Sequence, residues 1–211
     1  MGKVTDTVSV FEKYAKHYQE KFSAYEPYIE TYERLSTLIA DGASVLDVAC
    51  GPATISQYLL KRLPNLRVHG TDLAPAMIAL AQEAIPNGVF ELRDSRDIAN
   101  INKRFNAVVA GFCIPYLDKT ETEKLVRDAR SLLTTRGILY LSTTAGDYAD
   151  SAYQHPESED RLYTFYYQEQ FLIDLLTKYG FELLVLVRKP YPQTDKEDST
   201  DLFFYARVLE I

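Results

Sequence analysis

The sequence predicts an α/β protein: a seven-stranded, mostly parallel sheet with an antiparallel last strand, helices on both faces and a helical cover at the N-terminus. Three observations carry that expectation. Five short runs, "SVLDVA", "RVHGTD", "GVFELR", "NAVVAGF" and "GILYLSTT", are apolar at alternate and intervening positions alike and are separated by helical patterns, as strands buried on both sides of a parallel sheet are. Two long apolar runs, "FELLVLVRKPY" and "DLFFYARVL", follow each other across a polar loop, which suits an antiparallel hairpin. Residues 5 to 40, by contrast, repeat at helical spacing.

Taken in order, Phe11, Tyr14, Ala15, Tyr18 and Phe22 fall on one helical face. Tyr25, Tyr28, Ile29, Tyr32, Leu35 and Ile39 define a second amphipathic run, with Pro27 in its first turn, where its missing N–H costs nothing. Pro75 opens a helix carrying Ala76, Met77, Leu80, Ala81 and Ala84, and Thr120 with Glu123 has the spacing of a capping box for another. A polar, tyrosine-rich insert follows the fifth strand, then a helix over about 167–179 ended by Gly180. The charges of "TDKEDSTD" read as a solvated hairpin tip without chemistry. The expectation is one domain over 1–211: a cover (1–40), a ligand-binding core (41–145), an insert near the reacting partner (146–170), and the last helix with the terminal hairpin (171–211).

Composition narrows the function classes. A hydrophobic content of 46% supports a proper core, while a net charge of −7 would repel a phosphate backbone and argues against nucleic acid. No stretch approaches the roughly 20 apolar residues needed to cross a bilayer, so no membrane partner is expected. Cys50 and Cys113, isolated within apolar segments, fit a reducing cytoplasm rather than a disulfide or a metal site. His17, His69 and His155 lack ligand spacing, and no metal is expected; His155, in the insert, is a candidate base.

In an open α/β sheet the ligand crevice lies beyond the carboxyl ends of the strands, beside the switch point. "VLDVACGPATIS" sits there. Gly51 permits close backbone approach, but no G-x-G-x-x-G run and no P-loop lysine is present, and Asp47 at the strand end favours a cationic ligand over a pyrophosphate. Asp72 ends the second strand about 20 positions after Gly51, the spacing at which an acid meets ribose hydroxyls. Asp94 in "ELRDSRDI" could accept from an exocyclic amine, the Ser95 backbone could donate to a ring nitrogen, and Leu73 and Met77 offer apolar surface to a flat heterocycle. These positions describe a ligand with an adenine, a ribose and a positively charged tail.

In order and spacing, "VLDVACGPATIS", "VHGTDLAPAMIALAQ", "FELRDSRDI" and "FNAVVAGFCIPYL" resemble the successive motifs of class I S-adenosylmethionine-dependent methyltransferases, whose sheet is Rossmann-like with a reversed last strand. The resemblance implies methyl transfer from S-adenosylmethionine to a small molecule. By this likeness Asp47, Ala49 and Gly51 face the methionine end of the cofactor, Asp72 the ribose, Asp94 and Ser95 the adenine, and Gly111 and Phe112 border it. Ala49 and Ala53 stand where the family usually has glycine, a departure that is tolerable if the backbone keeps negative φ there. Sixteen tyrosines mostly serve packing, but Tyr14, Tyr18 and Tyr116 are candidates for a lid over the sulfonium, whose charge attracts ring faces. Two other classes remain open: a non-catalytic module that binds the cofactor or a partner protein, and an NAD-dependent oxidoreductase, which the missing glycines disfavour. Oligomeric state is not legible.

Overall fold

The computed structural model describes residues 3–22, 25–154, 160–192 and 199–210. Helices α1 (Lys3–Lys13), α2 (Ala15–Phe22) and α3 (Glu26–Leu38) precede the sheet. Strands β1 (Ser44–Val48), β2 (Arg67–Asp72), β3 (Val89–Leu92) and β4 (Phe105–Ala110) then alternate with α4 (Thr54–Arg62) and α5 (Pro75–Ala84). Helix α6 (Lys119–Leu132) leads directly into β5 (Leu133–Thr144). A small hairpin follows, β6 (Ala152–Gln154) and β7 (Leu162–Thr164), before α7 (Glu169–Lys178) and the terminal hairpin β8 (Phe181–Tyr191) and β9 (Ser199–Val208).

The main sheet runs β3-β2-β1-β4-β5-β9-β8. All pairings from β3 to β5 are parallel, and β9 runs antiparallel to both its neighbours. The reversed strand is therefore the last in sequence but is inserted between β5 and β8, which leaves β8 at the edge, where Pro190 costs no ladder bond. Alternation along each strand feeds two core layers: Leu46, Val48 and Val108 pack towards α6 and α7, while Val45, Ala107 and Val109 pack towards α3 and α4. Strand order reverses between β1 and β4, so the crevice of an open sheet opens at their carboxyl ends.

Several local expectations need correction. The capping box of α6 lies two residues earlier than "Thr120 with Glu123": Asp118 accepts from the Glu121 N–H at 2.8 Å and Glu121 Oε2 accepts from the Asp118 N–H at 2.9 Å, because Asp-x-x-Glu offers the same reciprocal pair one half-turn sooner. Strand β3 is not buried on both faces. It is an edge strand, with Val89 51% and Leu92 58% exposed. Ile29 is likewise exposed, whereas Tyr28, Leu35 and Ile39 are buried. The β6–β7 hairpin has no counterpart in the sequence reading. Gly180, at φ +73°, does end α7 in the left-handed conformation that glycine permits.

Candidate functional site

The turn after β1 sets the geometry. Asp47, 2% exposed, accepts from Ser56 Oγ of α4 at 2.6 Å, and burial pushes its carboxyl up to about 7 against that bond. The turn itself is built from left-handed residues: Ala49 (φ 52°), Gly51 (φ 53°) and Ala53 (φ 59°). The condition of negative φ set for the two alanines is thus not met. Each stays left-handed at a cost of about 1–2 kcal/mol, because the turn is held from outside: Cys50 N–H donates to Thr71 O and Gly51 N–H to Asp72 Oδ2, both at 2.9 Å.

Asp72 therefore ties two turns together. Its other oxygen accepts from the Ala74 N–H at 2.9 Å. Burial raises its carboxyl above the ordinary range despite these backbone donors. The bonded N–H of Ala74 belongs to the N-cap of α5, so the same carboxylate also fixes the start of that helix. The Leu73 N–H adds a third backbone donor to the same carboxylate.

A cavity of about 830 Å³ opens here, lined by Asp72, Leu73, Met77, Asp94 and Ser95 together with Gly111 and Phe112. Phe11 of α1 and Tyr18 of α2 cover it, and Tyr116 closes the side after β4. Phe11 meets both rings edge-on, with centroids 5.7 Å from Tyr18 and 5.2 Å from Tyr116. A Cβ on Gly51 would lie 3.8 Å from both Met77 Sδ and a ring carbon of Tyr18, so the glycine faces this wall. Phe112, left-handed at φ 50°, donates its N–H to Ser142 Oγ at 2.9 Å, which fixes the β4 end of the crevice.

Sequence reasoning missed Arg96. It lines the cavity and donates to Asp94 through Nε (2.8 Å) and Nη2, and to Glu121 at 2.9 Å. Burial alone would raise the Asp94 carboxyl; the bonds from Arg96 outweigh it and hold it below the ordinary range.

A second cavity, about 900 Å³, lies behind the same turn and shares Tyr18, Ala49, Gly51, Gly111, Phe112 and Tyr116 with the first. Asp47 lines this one rather than the first. Its far wall brings in Asp201, which corrects the reading of the terminal charges as a solvated tip. Asp201 lies within β9, 3% exposed, accepting from Thr144 Oγ1 at 2.7 Å and from the Tyr28 hydroxyl. Residues 193–198 of that tip are outside the described residues.

Two further candidates, one for the lid and one for a base, fare differently from Tyr18 and Tyr116. Tyr14 lines neither cavity and donates to Asp160 Oδ2 at 2.8 Å, the carboxylate that Lys13 also meets at 2.7 Å. Its helical position points it to the insert instead. His155 lies outside the described residues. Among the described residues, no three His, Cys, Asp or Glu side chains are grouped as a metal ion would need, and no helix is long and apolar enough to cross a membrane.

Comparison with known proteins agrees with this geometry. A family model described as a methyltransferase domain matches residues 45–137. The chain is similar to trans-aconitate 2-methyltransferase of Variovorax paradoxus, 30% identical over 101 residues that cover 48% of this chain and 38% of that one. It is also similar to malonyl-[acyl-carrier protein] O-methyltransferase 1 of Ilyobacter polytropus, 30% identical over 103 residues, 47% of this chain and 37% of the relative. The match thus spans less than half the length of these curated relatives. Among solved structures, magnesium protoporphyrin IX methyltransferase from Synechocystis PCC 6803 superposes with a TM-score of 0.67 at 16% identity, covering 96% of this chain and 97% of that one. A SAM-dependent methyltransferase from Methanosarcina mazei gives 0.69 at 18% identity, covering 83% and 97%. Residues 45–137 thus match a methyltransferase domain, set in a sheet whose fold the chain shares with these solved methyltransferases.

Proposed function

We propose that this chain binds S-adenosylmethionine in the first cavity and transfers its methyl group to a small molecule held in the second. The observation that carries the reading is Asp72: a carboxylate at the end of β2, bound to the backbone of the turn after β1, lining a cavity that shares part of its wall with another. The residues fit the cofactor. Asp72 would accept from the ribose, Leu73 and Met77 would flank the heterocycle, and Asp94 and Ser95 would stand at its edge. Ala49, Gly51 and Asp47 lead towards the second cavity and suit a cationic amino-acid tail. Gly111, Phe112, Tyr18 and Tyr116 line both cavities, so they border the point where a methyl group passes from one to the other.

A dinucleotide fits poorly. The arginines lining the first cavity are committed, Arg93 to Glu91 and Arg96 to Asp94 and Glu121, which leaves a pyrophosphate no free cation there among the described residues. The names of relatives, which specify methyl transfer to trans-aconitate and to a malonyl-carrier protein, support the reaction class; the Synechocystis enzyme holds bound SAM in its crystal structure. A net charge of −7 and the cover of α1 and α2 favour a small acceptor over a nucleic acid.

The bound sulfonium would supply a methyl carbon already activated for in-line displacement. The protein's part is alignment and exclusion of water. Phe11 and Tyr18 roof the crevice, Asp72 and Asp94 fix the adenosyl end, and the ring faces of Tyr18 and Tyr116 favour positive charge at the junction. Calorimetric titration with S-adenosylhomocysteine and with NAD tests the reading: the former should bind at micromolar affinity or better and the latter should not. NAD binding without a response to S-adenosylhomocysteine would overturn it.

A further inference from the structure

The second cavity carries more than its connection to the first. Its described lining includes the rings of Tyr18, Phe22, Tyr28, Tyr32 and Tyr191, two carboxylates, Asp47 and Asp201, and no Lys, Arg or His side chain. Asp47 lies beside the cofactor turn and is matched by the cofactor's own cationic tail. Asp201 faces the acceptor side without a cation: its bonded partners are two neutral hydroxyls, Tyr28 and Thr144. A buried carboxylate satisfied only by neutral donors is unfavourable to a second anion and favourable to an ammonium, and the rings around it add their negative faces to the same preference.

Resting on the methyl-transfer reading above, we infer that the acceptor is an amine on an apolar body, selected by Asp201 and the surrounding rings against carboxylate acceptors. Tyr28 ties the parts together. Its hydroxyl bonds Asp201 while its ring stacks on Phe112, with centroids 5.4 Å apart, at the junction with the cofactor cavity. The acceptor enters as an ammonium and gives one N–H proton to the Asp201 carboxylate, whose affinity for a proton burial raises. The freed lone pair then forms a bond to the sulfonium methyl carbon. The carbon–sulfur bond breaks with its electron pair on sulfur, leaving a neutral thioether and a methylated ammonium.

The test uses the full chain saturated with S-adenosylhomocysteine, titrated calorimetrically with three compounds of one shape: 2-phenylethylamine, 3-phenylpropionate and 2-phenylethanol. The amine should bind at least about tenfold more tightly than either of the others, and Asp201→Asn should bring it down to the level of the alcohol. Equal or tighter binding of the carboxylate or the alcohol overturns the inference, as does an amine that does not bind up to its solubility. If Asp201→Asn fails to melt cooperatively, the ranking on the wild-type chain decides alone. Failure to bind S-adenosylhomocysteine is a separate result that overturns the methyl-transfer reading and this inference with it.

Discussion

At the scale of single residues, Asp72 and Asp47 make opposite demands on an experiment. Asp72→Ala would strip the Gly51 and Ala74 N–H groups of their acceptor, and each unsatisfied donor costs about 1–3 kcal/mol of stability. Asp72→Asn is the cleaner variant, because its amide retains one accepting oxygen. It should bind S-adenosylhomocysteine at least about tenfold more weakly, two charge-assisted bonds being worth on the order of 1.5–3 kcal/mol each before water replaces them; unchanged affinity would leave Asp72 a purely structural tie. Asp47 speaks through pH. Its folded carboxyl is raised from 3.8 to about 7, so the folded chain keeps a proton that the unfolded chain releases across that window. The contribution to stability is complete below the unfolded value and is lost as pH rises through about 7. Asp47→Asn should therefore flatten part of the decline in denaturation midpoint between about pH 4 and 7 that the wild type shows without ligand; parallel curves for the two proteins would refute the assignment.

At the scale of elements, the cover made by α1 and α2 has the most to lose. Phe11 and Tyr18 roof the first cavity, Tyr18 and Phe22 line the second, and Ala15 is buried against Ala74 and Met77. Neither helix joins the two large core layers, which are drawn from the sheet, α3, α4, α6 and α7. Deleting residues 1–24 should leave a cooperatively folding protein whose retention of S-adenosylhomocysteine is weakened and whose methyl transfer is abolished, read by thermal melting, calorimetry and product mass. Full activity after deletion would point to a large acceptor presented from solution. The same elements show what the sequence made legible. Asp72, Gly51 and Asp94 stood out because each lies at a strand end beside its own turn, and chemistry set within a few residues can be read along the chain. Asp201 did not, because its burial depends on Tyr28, 173 positions away, and a charge among charges looks solvated until that partner is placed. The left-handed alanines were equally hidden: only the bonds from Gly51 and Cys50 to β2 and its end show that the turn is forced. The exposure of β3 followed from its edge position, which no local pattern announces.

At the scale of the whole molecule, rigidity and function are divided along the sheet. Core strands such as β1, β4, β5 and β9 are largely buried, whereas the contact between cover and insert is carried partly by polar pairs at the surface, an exposed one from Lys13 and a part-buried one from Tyr14, both on Asp160. Solvent screens such pairs, so they contribute little. Amide hydrogen exchange should show strong protection of those strands with or without ligand, while α1, α2 and the described parts of the insert, residues 148–154 and 160–167, slow only when S-adenosylhomocysteine is added. Equal protection in both states would mean that the cover is permanently closed.

The bond between Tyr28 and Asp201 also fixes a moment in the protein's life. A chain emerging from the ribosome displays the turn after β1, then Asp72, Asp94 and Phe112, long before β9 is synthesised, so the wall for the cofactor is drawn well ahead of the wall opposite. Until β9 threads between β5 and β8, Tyr28 and Thr144 have no carboxylate to meet, and the second chamber has no far side. A message that ended before Asp201 would leave that chamber without its carboxylate, and the sheet without the strand that feeds both of its core layers.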